Sequence, residues 1–207
     1  MLLAVLTLFL VGVLANEGSL AYPDLTELRN QISTYPNIVY DVEKCVPSRF
    51  QSSVYASNKE TFICDPRGII KEIRSLNESL YNINTNVNQH SQKCQAGSPR
   101  PRVAVAVVEK MLRPRDSKQT VQFASIFAYH LFKTWNLRSE CNGEDRMIIF
   151  YSKDDRVVYT FVGNLLAQIL NKQKIIDITT EAQTSFGVDP GNGIKHMVDS
   201  YRYVFTS

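Results

Sequence analysis

Four carboxylates are the residues whose type and placement could do chemistry. Asp65, Glu109, Asp154 and Asp155 each stand at or near the end of an apolar run. Hard cations such as calcium gather several oxygen ligands, and open α/β sheets bind their ligands beyond the carboxyl ends of the strands. If the apolar runs are strands, the four acids share that edge and form a candidate Ca2+ site. Each acid also has a simpler duty. Asp65 precedes Pro66, the pattern of a helix cap followed by proline at the first helical position. Asp154 and Asp155 lie in a polar turn, KDDR at 153–156. Arg67, Arg113, Arg115 and Arg156 belong to the same edge and would compete with a metal for the carboxylates.

Other catalytic patterns are missing. The histidines, His90, His130 and His196, are far apart in sequence and show no metal-ligand spacing. No nucleophile elbow or glycine-rich phosphate loop occurs. The basic stretch KMLRPR at 110–115 reads as a loop at the acidic edge, either solvated or facing a partner. The formal charge of +3 is modest and argues against a nucleic-acid partner.

The chain starts with MLLAVLTLFLVGVLA, which has no charge and one polar residue, Thr7. That run is shorter than the roughly 20 residues a bilayer span needs. Val13 and Ala15 supply the small residues before a cleavage point ahead of Asn16. Residues 1–15 are therefore expected to be a secretory signal peptide, and the mature product to be extracellular. No later run is long enough to cross a membrane. The four cysteines, Cys45, Cys64, Cys94 and Cys141, suit two disulfides in an exported protein. None is spaced C-x-x-C. Asn77, with Glu78 and Ser79, forms an N-glycosylation acceptor.

The elements that must position these residues follow from periodicity. Residues 16–60 are polar and weakly periodic, with Pro23, Pro36 and Pro47. They are expected to form an irregular extension tied down at Cys45. Residues 61–207 read as one α/β domain. From the Asp65 cap, Ile69, Ile73, Leu76, Leu80, Ile83 and Val87 recur at helical spacing. The run VAVAVV at 103–108 is apolar on both faces, as in a strand covered on both sides. A helix capped by Ser117 would bury Val121, Ala124, Phe127, Ala128, Leu131 and Trp135. The runs MIIFY at 147–151 and VVYTFV at 157–162 form a hairpin across a short turn. Helices follow at about 165–172 and 179–186. Asp189 and Pro190 then start a last helix. The order implies a three-layer α/β/α sandwich with a small mixed sheet.

Four cysteines allow three connectivities. Parallel strands begin at one edge, and Cys94 and Cys141 precede the first two long strands. That placement favours Cys94–Cys141 and leaves Cys45–Cys64 to fasten the extension.

The run ICDPRGII at 63–70, the strand at 103–108, Trp135-Asn136-Leu137, the strand at 147–151, Asp154-Asp155-Arg156, and Val162-Gly163 occur in the order of a TPM domain. The stretch FGVDPGNGI at 186–194 resembles the end of that domain. The exported, four-cysteine form is similar to nematode relatives of the modulator of levamisole receptor. The resemblance implies an extracellular, non-catalytic binding module, an auxiliary modulator of a ligand-gated acetylcholine receptor that reaches the membrane through its partner. Other TPM domains are linked to calcium binding and acid phosphatase activity. Their acidic positions map here onto Asp65, Asp154 and Asp155, so the alternative expectation is a divalent-metal-binding, phosphatase-like domain.

Overall fold

A computed structural model describes residues 24–49, 61–87, 94, 100–114 and 119–207. The leader, much of the extension, His90, Arg115 and Ser117 fall outside the described residues. Runs of apolar side chains make the strands: β1 (Ile63–Cys64), β2 (Arg102–Val108), β3 (Arg146–Ser152) and β4 (Val157–Val162). They pair in the order β1-β2-β3-β4. β1, β2 and β3 run parallel, and β4 returns antiparallel to β3. β2 and β3 are in register from Arg102 opposite Arg146 to Val108 opposite Ser152. Their carboxyl ends therefore share one edge.

Both faces of the sheet are covered, which is why β2 and β3 read as continuous apolar runs. The eight helices among the described residues begin with α1 (Thr26–Thr34), α2 (Val42–Cys45), α3 (Ile73–Asn86) and α4 (Thr120–Thr134). They end with α5 (Asn164–Ala167), α6 (Lys172–Glu181), α7 (Gln183–Phe186) and α8 (Pro190–Thr206). α4 lies on one face, where Phe127 stacks on Phe150 of β3 and Phe132 meets Phe161 of β4. α8 lies on the other, where the Tyr201 hydroxyl meets Thr160 of β4 at 3.0 Å. α3 packs beside α8 and reaches β2, where the Asn84 side chain bonds both the amide and the carbonyl of Val103.

Three local expectations change. The extension is not irregular throughout: Leu28 and Ile32, one helical turn apart, are buried on α1, which packs against α4. The first domain helix starts at Ile73, not at the Asp65 cap. Residues 65–72 instead form a loop with Gly68 at φ +65°, a left-handed conformation that glycine adopts without Cβ strain. The segment 165–186 divides into α5, α6 and α7 rather than two helices. Asn171 starts α6 by accepting from the Lys174 amide. The Asp189 start of α8 is as the sequence reads, its carboxylate accepting from the Gly191 amide at 2.8 Å.

Tyr35, just after α1, completes the sheet where β1 stops. Its hydroxyl lies 2.6 Å from the Cys64 carbonyl, donates to Val107 O at 2.9 Å, and accepts from Val107 N at 3.0 Å. A buried amide with no partner costs about 1–3 kcal/mol, so this hydroxyl takes the role of a missing strand. Burial pushes the Tyr35 phenol well above its ordinary value, and pushes that of Tyr201 up to about 12. Both phenols hold their protons more tightly when folded. Their stabilising contribution is therefore complete below the unfolded value near 10 and is lost as pH rises through the folded values. A titration of tyrosine absorbance at 295 nm should show these two ionising late, together with loss of near-ultraviolet dichroism. Normal ionisation of all ten tyrosines in a still-folded protein would contradict this burial.

Candidate functional site

The shared carboxyl edge of β1, β2 and β3 holds the predicted acids, and they have different neighbours. Asp65 follows β1 directly and is buried. Its Oδ2 accepts from the Ile70 amide at 2.8 Å, its carbonyl accepts from Gly68 at 3.0 Å, and its own amide donates to Cys45 O at 2.7 Å. Oδ1 has no hydrogen-bond partner among the described residues. Burial raises the carboxyl pKa, against the pull of the Ile70, Ile69 and Gly68 amides and of Arg49. This carboxylate shapes the 65–70 loop and caps no helix.

Asp155 is saturated. Oδ2 accepts from the Met111 amide at 2.8 Å and from Ser152 Oγ at 2.6 Å, and Oδ1 pairs with Arg113 Nε at 3.1 Å. Its side chain is 2% exposed. Burial opposes its charge, but Ser152, Met111 and Arg113 outweigh burial and hold the carboxyl below its usual value. Asp154 is an exposed turn residue whose amide donates to Glu109 O at 2.8 Å.

Asp65, Asp154 and Asp155 are thus not brought together as ligands. Among the described residues no group of three His, Cys, Asp or Glu side chains is placed to hold a metal ion. One oxygen of Asp65 is turned to a backbone amide, and Asp155 is turned to an arginine. The donor set does not fit a hard cation.

What the edge does form is a cationic cavity of about 570 Å³. Arg49 from the extension, Arg67 and Lys71 from the loop before α3, and Lys153 from the β3–β4 turn line it. Glu109, after β2, is the one carboxylate in the lining, and Gly68 and Ile69 form part of the wall. The backbone sets these positions. Arg49 Nη2 donates to Gly68 O at 3.2 Å. The Lys153 amide donates to Val108 O at 3.1 Å, which extends the β2–β3 ladder and brings Lys153 beside Glu109. The Cys45–Cys64 disulfide, with Cα atoms 4.2 Å apart, ties the Arg49 segment to the strand that leads into Arg67. At the opposite end of the sheet Cys94 is joined to Cys141, Cα atoms 5.3 Å apart.

The remaining sequence candidates lie elsewhere. Asn77 is inside α3 and 8% exposed. It is the residue that the sequence reads as an N-glycosylation acceptor. His130 is exposed on α4. His196 Nδ1 lies 3.4 Å from Ser185 Oγ in a second cavity, of about 630 Å³, between α8 and the α6–α7 segment. Asp199 there is paired with Lys195 at 2.5 Å, so its carboxylate is engaged by the lysine.

The family model described as modulator of levamisole receptor-1 matches residues 30–156. That span runs from within α1 to the β3–β4 turn and includes every residue lining the cationic cavity. The chain belongs to the modulator of levamisole receptor-1 family. No curated protein and no solved structure matches the chain. The family span also contains all four cysteines, whose two bridges are the chemistry of an oxidising compartment. Among the described residues no helix is long and apolar enough to cross a membrane.

The edge that the sequence points to holds basic side chains beside the acids. Arg67 is legible there next to Asp65, whereas Arg49 comes from the extension and only the fold brings it in.

Proposed function

We propose that residues 1–15 export this chain and that the mature protein is an extracellular, non-catalytic binding module, an auxiliary modulator of a ligand-gated acetylcholine receptor. The observation that carries this reading is the family match over residues 30–156. The edge of the sheet agrees with it: Asp155 is engaged by neighbouring groups, and the open feature there is a cavity with a mainly basic lining. Membrane association in this reading comes through the receptor.

The test is co-expression of the full chain with levamisole-gated receptor subunits in oocytes. Agonist-evoked current should change in amplitude or in agonist sensitivity when the chain is present. Currents identical with and without the chain, at saturating and sub-saturating agonist and with the protein detected at the surface, would refute the proposal.

A further inference from the structure

We infer that the cationic cavity at the carboxyl edge of the sheet is a binding site for a phosphate monoester on a hydroxyl-bearing carrier. Three observations carry this. First, the charge is concentrated and concave: Arg49, Arg67, Lys71 and Lys153 converge from three separate segments, with Glu109 as the single opposing carboxylate in the lining. Second, among the described residues Arg67, Lys71 and Lys153 form no ion pair, so their charge is not already neutralised. Elsewhere on the same edge Arg113 is paired with Asp155. Third, the cavity lies beyond the carboxyl ends of parallel strands, the place where such sheets take their ligands.

The chemistry of the lining selects the ligand class. Arginine presents a planar fork of donors that matches phosphate oxygens, and lysine adds compact point charges. Arg67, Lys71 and Lys153 alone exceed what one carboxylate requires and leave the charge that matches a doubly charged group. Glu109 only accepts hydrogen bonds when ionised. It would repel an oxyanion placed against it but would accept from a carrier hydroxyl, so phosphate and carrier have opposite ends to occupy. A cavity of about 570 Å³ is in the size range of small-ligand sites. The site does not depend on the receptor reading, because its ligand is defined without the receptor.

The experiment is a titration of the full oxidised chain with inorganic phosphate and with glycerol 1-phosphate, at fixed ionic strength with chloride as control, followed by backbone amide NMR. Saturable shifts should centre on Gly68, Ile69, Lys71 and Lys153, and glycerol 1-phosphate should bind more tightly than phosphate. Arg67→Gln and Lys71→Gln, both at exposed positions, should each weaken binding about tenfold, the size of one lost charged hydrogen bond. Unchanged amide spectra elsewhere would show that these variants are folded. A second arm uses phosphatidylcholine vesicles with and without phosphatidylinositol 4-phosphate. Binding to the phosphorylated vesicles as well as to free phosphate assigns the source to a lipid headgroup, and binding to free phosphate alone assigns a soluble source. Absence of saturable shifts, equal binding by the variants, or binding of a polyglutamate peptide with no response to phosphate would overturn the inference. Because the readout contains no receptor, its failure is separable from failure of the current measurement.

Discussion

Replacing Asp155 with alanine should destabilise the protein by about 3–5 kcal/mol, the usual cost of stranding one member of a buried pair. The carboxylate is almost fully enclosed and holds three groups at once: the Met111 amide, the Ser152 hydroxyl and the Arg113 guanidinium. Removing it takes this carboxylate from a largely buried guanidinium and leaves the Met111 amide without its acceptor. Urea denaturation at neutral pH measures the loss. The pH dependence has a definite sign. The folded carboxyl titrates below its ordinary value, so its contribution is complete above that value and is lost as pH falls through the lower folded one. The variant should therefore show a flatter acid limb than the parent. Calcium should leave the parent's denaturation midpoint unchanged. An alanine variant of unaltered stability, or a parent stabilised by calcium, would return Asp155 to the role of a ligand.

That prediction turns on something the sequence does not contain, namely which arginine neutralises which acid. Arg67, Arg113 and Arg156 all belong to the carboxyl edge, and their spacing from the acids is uninformative. The fold gives Arg113 to Asp155 because the segment after β2 runs back across the β3–β4 turn. Arg67 is carried instead into the cavity. The long strands were legible because their apolar residues run on without a break over enough positions to be unambiguous. β2, β3 and β4 lie within a residue of the runs at 103–108, 147–151 and 157–162. β1 has two residues, too few for any period. Its existence depends on pairing with Val105 and Ala106, 42 residues away in the sequence. Asp65 and Pro66 carry a strong local helix-start signal, yet the carboxylate bonds forward to Ile70 and closes a loop. Tertiary placement beside Cys45 and the left-handed Gly68 outweighed propensity there. Tyr35 left no trace in the pattern, since one hydroxyl standing in for a strand has no periodicity.

Replacing Cys45 and Cys64 together with serine should cost about 3 kcal/mol, from the entropy regained by the unfolded chain when a loop of 19 residues is opened. For a chain of this size that is a fall of about 6–12 °C in the thermal midpoint. The local consequence is more specific. The bridge holds the segment carrying Arg49 against the strand that feeds Arg67, and Asp65 N bonds Cys45 O alongside it. With the bridge gone, the extension is kept in place by α1 and by the Tyr35 hydroxyl, which still occupies the gap beside β2. Amide signals of Gly68 and Ile69 should then move or broaden while those of β3 stay in place. Serine at Cys94 and Cys141 provides the matched comparison. That bridge lies at the far end of the sheet, so its loss should lower the midpoint and leave the Gly68 and Ile69 signals where they were. If both double variants disturb the cavity equally, the bridges act only through global stability, and Cys45–Cys64 has no separate part in shaping the site.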